Sequence, residues 1–144
     1  MRLLLLSCSL SKRRFPIRPI PALDRYTGVM FMVFKKWKRE QPRAAGVNLL
    51  IVSAEFGLLR SDTHIPYYDR RMTSDQAASL AIRIQSSLKR EIEGAKHTRS
   101  LVNLGRHYLR VLDGFRELPE AEWVTGPIGV RAQRLKAWLN ETTE

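Results

Sequence analysis

Residues 47 to 59 constrain the fold more than any other part of this chain. Leu49-Leu50-Ile51-Val52 is wholly apolar and half β-branched, and it ends abruptly at Ser53-Ala54-Glu55-Phe56-Gly57-Leu58-Leu59. An apolar run of this length predicts a strand buried on both faces, as in a parallel sheet covered by helices on each side. Ligands of open α/β sheets sit beyond the carboxyl ends of the strands, which is where Glu55 falls. An acid just past a buried strand is partly desolvated, which suits a general base or an electrostatic stabiliser. The competing expectation is that Glu55 caps the following turn or pairs with an arginine.

The remainder of the chain alternates in the same sense. Leu3 to Ser7 reads as a first strand, followed by a proline-rich extended loop from Phe15 to Pro21. Asp24 is the expected N-cap of a helix carrying Val29, Met30, Val33, Phe34 and Trp37 at helical spacing until Pro42. Val47 to Val52 is the second strand, and Gly57 to Met72 reads as a long loop, a length that usually marks function. Thr73 or Ser74 caps a helix with Ala77, Leu80, Ala81, Ile84, Leu88 and Ile92 on one face. Leu101 to Leu104 is the third strand, Gly105 opens a helix through Leu112, and Trp123 to Thr125 is the fourth strand. Gly126-Pro127-Ile128-Gly129 then leads into a last helix. The expectation is one α/β domain over residues 1–144, a three-layer α/β/α sandwich with a four-stranded, mostly parallel sheet.

Charge bears on the partner. Lys and Arg number 25 against 14 Asp and Glu, a formal net charge of +11. The excess recurs at Lys12-Arg13-Arg14, Lys35-Lys36, Arg70-Arg71, Lys89-Arg90 and Arg131, so it belongs to a folded surface and not to a tail. A folded basic domain is expected to bind polyanions through phosphate contacts that weaken as salt rises. No strongly apolar amphipathic face accompanies the basic runs, so DNA is favoured over membrane, and no obligate protein partner is evident. One cysteine, Cys8, excludes an intramolecular disulfide and points to a reducing, cytoplasmic setting. The run Leu3 to Leu6 is too short for a signal or membrane segment. No cluster has metal-ligand spacing, and no cofactor is expected.

Parallel strands bring four distant loops to one edge: Ser7 to Lys12, Ser53 to Asp69, Gly105 to Tyr108 and Thr125 to Arg131. Together they offer small backbone-donor segments, carboxylates, rings and arginines, a set suited to handling a nucleotide. Ser7-Cys8-Ser9 with Lys12 can form an anion-binding turn, or simply a tight turn with Cys8 as a small buried residue. Gly126 to Gly129 can present amides to a phosphate with Arg131 in the first turn, or merely start a helix.

The set Leu5-Leu6-Ser7-Cys8-Ser9 with Lys12, Tyr26-Thr27-Gly28, Ser53-Ala54-Glu55-Phe56-Gly57-Leu58, Asp62, Tyr68-Asp69 and Gly126-Pro127-Ile128-Gly129 resembles a bacterial and phage family of unknown function. Its members look like compact relatives of the uracil-DNA glycosylase superfamily. Some, the Brig-type proteins, are associated with antiviral defence by excision of modified bases from phage DNA. The resemblance implies a uracil-DNA-glycosylase-like fold and cleavage of an N-glycosidic bond to leave an abasic site, with glucosylated hydroxymethylcytosine among the bases implied. Uracil glycosylases carry an acid or amide after the first strand and a histidine after the fourth. Here Ser7-Cys8-Ser9 and Thr125-Gly126-Pro127 stand there, so the carboxylate is expected from the second-strand loop, Glu55 ahead of Asp69 and Asp62.

On this reading Glu55 and Asp69 are catalytic, and Ser7, Cys8, Ser53, Tyr68 and Asn103 bind the extruded base. Ser9, Lys12, Arg13, Arg106, Gly126, Gly129 and Arg131 hold phosphates. Tyr67 is a second stacking candidate, and His64 and His107 are available but read as structural or exposed. Tyr26-Thr27-Gly28 is expected to shape the entry to the first helix. Two other classes stand beside this one. An N-glycosidase or deoxyribosyl transferase acting on free nucleosides or nucleotides would use the same loops, and a non-catalytic DNA-binding accessory protein would need only the basic surface.

Overall fold

The protein is described by a computed structural model over residues 1–141. Its elements in chain order are β1 (Arg2–Ser7), β2 (Ile20–Pro21), α1 (Ala22–Arg25), α2 (Val29–Glu40), β3 (Val47–Ser53), β4 (Gly57–Arg60), β5 (His64–Ile65), α3 (Ser74–Glu93), β6 (Ser100–Asn103), a 3-10 helix (Arg106–Leu112), β7 (Ala121–Trp123) and α4 (Ile128–Leu139). The main sheet has five strands in the order β4-β3-β1-β6-β7, and β2 and β5 form a separate two-stranded ribbon. β3, β1, β6 and β7 are mutually parallel, while β4 folds back antiparallel on β3.

The central strands are apolar because both of their faces are covered. Leu3 to Leu6 of β1 are fully buried, as are Leu50 to Val52 of β3 and Leu101 and Val102 of β6. The register sets Leu4 between Leu49 and Leu101, so one row of side chains continues across three strands. Each such leucine contributes roughly 1.5–3 kcal/mol of transfer free energy. The crossover from β1 through α2 to β3 runs one way and that from β3 through α3 to β6 runs the other. Right-handed connections then place α2 and α3 on opposite faces. α2 packs beside α4, and α3 beside the 3-10 helix. Met30, Phe31, Phe34 and Trp37 supply the buried stripe of α2, and Ala77, Ile84 and Leu88 that of α3.

Several expectations are corrected. The sheet has five strands and is mixed, not four-stranded, because Gly57-Leu58-Leu59-Arg60 pairs with β3 where a loop was expected. Gly57 allows the tight reversal with a φ of +80°. The Gly57 to Met72 segment also contains β5. Asp24 lies inside the short α1, and α2 begins after Gly28, whose amide bonds the Ser9 hydroxyl at 3.2 Å. A Cβ on Gly28 would stand 2.5 Å from that of Ser9, so the close approach of turn and helix requires glycine. The segment after Gly105 is a 3-10 helix, and β7 lies at Ala121–Trp123, earlier than its predicted span. Thr73 caps α3 as expected, its hydroxyl accepting from the Gln76 amide at 3.1 Å. Among the described residues no helix is long and apolar enough to cross a membrane.

Candidate functional site

The connections leaving the neighbouring strands β1 and β6 run to opposite sides of the sheet, toward β3 and β7, so the gap between the carboxyl ends of β1 and β6 is a topological switch point, the usual ligand position in open α/β sheets. Here the loops after the two strands are bonded together. The Ser7 hydroxyl accepts from the Gly105 amide at 3.0 Å, and Cys8 Sγ lies 3.0 Å from the Tyr108 hydroxyl. The Cys8 amide donates to the Val52 carbonyl at 2.9 Å, which ties the same turn to β3.

A hydroxyl cluster continues from this point. The Tyr26 and Tyr68 hydroxyls are 2.5 Å apart, and Tyr68 also reaches Ser53 Oγ at 3.2 Å. Tyr26 is fully buried and stacks on Phe31, while Tyr68 meets the Phe56 ring edge-on at 5.1 Å. Lys12 Nζ sits 4.6 Å above the Tyr68 ring and donates to the Ser9 and Leu10 carbonyls. Burial pushes the phenols of Tyr26, Tyr68 and Tyr108 upward, with the neighbouring Cys8 sulfur adding to this, so all three remain protonated at neutral pH. Burial pulls Lys12 below the ordinary lysine value, opposed by the nearby Cys8 and Asp69 side chains.

The carboxylates border this cluster. Glu55 occupies the turn between β3 and β4, where the Ser53 hydroxyl accepts from the amides of Glu55 and Phe56 at 3.1 Å each. Its side chain is 35 % exposed and pairs with Arg70 at 3.3 Å. The Gln76 amide group holds the Ala54 carbonyl of the same turn. Asp69 follows Tyr68 and is exposed, as are Asp62, His64 and His107.

On the β6 and β7 side, the Asn103 Nδ2 donates to the Arg131 carbonyl at 2.9 Å, and Arg131 Nη1 donates to Asn103 Oδ1 at 3.2 Å. Arg131 Nε also donates to the Gly126 carbonyl, and burial lowers the guanidinium pKa. Gly126 has a φ of +109°, and α4 starts at Ile128 with Gly129 exposed in its first turn. A hollow of about 480 Å³ lies here, lined by Leu104, Arg106, Leu109, Thr125, Gly126 and Arg131. Another hollow of about 360 Å³, between Arg2, Trp37 and Leu139, lies by the amino end of β1, away from the edge where such sheets bind ligands.

The structure thus brings Ser7, Cys8, Ser9, Lys12, Ser53, Glu55, Tyr68, Asn103, Arg106, Gly126 and Arg131 to one sheet edge, where several of them bond to the protein itself. The hydroxyls of Ser7 and Ser53 and the amide of Asn103 bond to the protein itself, and the Ser9 hydroxyl donates to the Ser11 carbonyl at 2.6 Å. These four work as struts between loops. Lys12 is likewise held on carbonyls, whereas Arg13 and Arg106 are exposed. Sequence gives three contributors no role in the site: Tyr26 reads as shaping the entry to the first helix, Tyr108 only as the end of a loop at this edge, and Arg25 is not singled out. Arg25 is fully buried, and its guanidinium donates to the carbonyls of Arg13, Pro16, Arg18 and Ile65. Among the described residues no group of three His, Cys, Asp or Glu side chains converges as a metal site.

No curated protein matches the chain in sequence. The crystal structure of AF0587, a protein of unknown function, shares the fold with a TM-score of 0.56 at 18 % identity, over 99 % of this chain and 46 % of that one. The chain therefore spans about half the length of that structural relative. A family described as "Family of unknown function (DUF6884)" matches residues 3–141, and the chain belongs to it.

Proposed function

We propose that the protein binds DNA and hydrolyses the N-glycosidic bond of a modified base, leaving an abasic site. The observation that carries this reading is the gathering of Lys12, Tyr68, Tyr108 and Cys8 at the switch point, with Glu55 and Asp69 bordering it and an arginine-lined hollow beside it. That hollow falls within the roughly 300–1,000 Å³ typical of small-ligand sites. The parallel strands covered by helices on both faces are compatible with a uracil-DNA-glycosylase-like scaffold. In this mechanism the target nucleotide leaves the stack and its base packs against Tyr68. The bond from C1′ to the base breaks, water supplies hydroxide to C1′, and the departing base takes the remaining proton. Glu55, with Asp69 as the second carboxylate, steadies the positive charge that develops on the sugar. Arg106 and Arg131 hold flanking phosphates. The single thiol suits a cytoplasmic setting, and antiviral defence is the role that the family resemblance implies.

A second reading, a DNA-binding protein without catalysis, is favoured by the bonding of Ser7, Ser53 and Asn103 to the protein and by the Glu55–Arg70 pair. A strand-nicking assay separates the two. Purified protein meets unmodified, uracil-containing and glucosyl-hydroxymethylated DNA, followed by alkali. Cleavage confined to one modified DNA, reduced at least about 100-fold in Glu55→Gln with binding retained, is the expected result. Equal nicking by the variant removes Glu55 from the mechanism. Salt-sensitive binding with no abasic sites on any DNA establishes the second reading.

A further inference from the structure

The segment between β1 and β2 carries features that the proposed chemistry leaves unused. Leu10, Phe15 and Ile17 stand out in solvent, with Phe15 68 % and Ile17 78 % exposed. Arg13, Arg14 and Arg18 alternate with them, all exposed, and no acidic residue occurs from Cys8 to Leu23. Large apolar side chains gain nothing from water, so a loop that presents them among cations is built for a surface both apolar and anionic.

The loop is also fixed in shape. Arg25 Nη1 donates to the carbonyls of Arg13 at 2.9 Å and Pro16 at 3.1 Å, and Nη2 to that of Arg18 at 3.0 Å. The Arg13 amide donates to the Arg25 carbonyl at 2.8 Å, and Lys12 bridges to Tyr26. Internal bonds therefore hold the backbone from Lys12 to Arg18 while its large side chains face outward. The loop also borders the candidate site, since Arg14 lies 5.2 Å from the Tyr67 ring and Lys12 covers Tyr68.

We infer that this loop is a duplex-DNA wedge: Phe15 and Ile17 enter between base pairs while Arg13, Arg14 and Arg18 take the phosphates on either side. Stacked bases offer a flat apolar face bounded by a regular row of anions, which matches the alternation along the loop. Opening a base step here, beside Tyr67 and Tyr68, lowers the cost of moving a nucleotide out of the stack toward the switch point. The inference rests on the DNA-binding part of the proposed function and not on its bond cleavage.

The test uses the whole protein and a duplex with 2-aminopurine beside a reduced abasic site, read by 2-aminopurine fluorescence and by anisotropy over a salt series. Wild type should raise the fluorescence, because unstacking relieves its quenching. Phe15→Ala/Ile17→Ala should abolish that rise and weaken binding about tenfold, while leaving the salt dependence unchanged. Arg13→Gln/Arg14→Gln/Arg18→Gln should instead flatten the log–log salt slope by about 2 to 3. Phe15→Trp should restore the fluorescence rise. An unaltered rise in the double alanine variant overturns the wedge. So does Phe15-dependent sedimentation with phosphatidylserine vesicles in a protein that leaves the duplex stacked. Because these readouts need no catalysis, absent abasic sites with a Phe15-dependent rise would sink the glycosylase reading alone. Normal nicking with no Phe15 dependence would sink the wedge alone.

Discussion

Arg25→Gln tests whether one buried cation organises the segment between β1 and β2. Arg25 is fully buried, and each of its nitrogens is used: Nε and Nη2 meet the Ile65 carbonyl at 3.3 and 3.1 Å, and Nη1 and Nη2 meet the carbonyls of Arg13, Pro16 and Arg18. Glutamine has two donors on a shorter stem and cannot reach four carbonyls. The Ile65 carbonyl, bonded in the interior, loses its partner at a cost of about 1–3 kcal/mol. The three loop carbonyls lie at partly buried positions where water can return, so each forfeits about 0.5–1 kcal/mol. The charge itself is held down by burial, with Arg13 adding to the effect, and removing it gives part of this back. The net expectation is a loss of roughly 2–4 kcal/mol. At about 3 °C per kcal/mol for a chain of this size, that lowers Tm by roughly 6–12 °C. Urea unfolding followed by circular dichroism measures the loss directly, and limited proteolysis should show new cleavage between Arg13 and Arg18. A midpoint within about 0.5 kcal/mol of wild type, with the loop still resistant, would refute the claim that Arg25 organises this segment.

Two further predictions rest on single contacts. Tyr26→Phe removes a buried hydroxyl whose partner, Tyr68, keeps its bond to Ser53, so the loss should be about 0.5–1.5 kcal/mol in urea unfolding; a loss above about 3 kcal/mol would mean that Tyr68 is left stranded. Glu122 is held below the ordinary carboxylate value of 4.5, chiefly by its hydrogen bond from Arg134. A depressed carboxylate stabilises the fold above its unfolded pKa and loses that contribution as pH falls through the folded one. Acid titrations should therefore show wild type losing more stability below about pH 4.5 than Glu122→Gln does, by a modest amount because the pair is partly exposed. Parallel acid curves for the two proteins would contradict it.

What the sequence reveals and conceals follows from how far a signal reaches along the chain. β1, β3 and β6 are legible because burial on both faces makes them continuously apolar, and α3 because Thr73 precedes a helical stripe. β4 is hidden since four residues after a turn carry no period of their own, and β7 is displaced because Ala121-Glu122-Trp123 is a short, partly exposed edge strand. At the candidate site, the convergence of the loops was legible, because the ends of parallel strands fall on one edge whatever residues occupy them. The bonding partners of their side chains were not. Whether Ser7 faces a ligand or the Gly105 amide depends on a partner 98 residues away. Tyr26 was legible as part of Tyr26-Thr27-Gly28 but its contact with Tyr68 was not, because that partner lies 42 residues away, and Arg25 carried no mark because its acceptors are carbonyls, which every residue carries.

The bonds between Asn103 and Arg131 set up a test that separates a positioning role for Asn103 from direct recognition. Its amide is buried and spent on Arg131, one bond fixing the backbone at the first turn of α4 and one aiming the guanidinium toward the hollow with Arg106 and Gly126. If Arg131 contacts a phosphate, Asn103→Leu should weaken DNA binding only through that arginine. The single variants Asn103→Leu and Arg131→Gln should then each lose affinity, and the double variant should lose little more than Arg131→Gln alone. That leaves a coupling of roughly 0.5–3 kcal/mol in a double-mutant cycle. A residue that read the ligand itself would behave differently, because its loss would add to that of the arginine. Additive effects, with both single variants folded by circular dichroism, would return Asn103 to the ligand-binding surface. Coupled effects would assign recognition at this edge to arginines and rings, with the short polar side chains holding them in place.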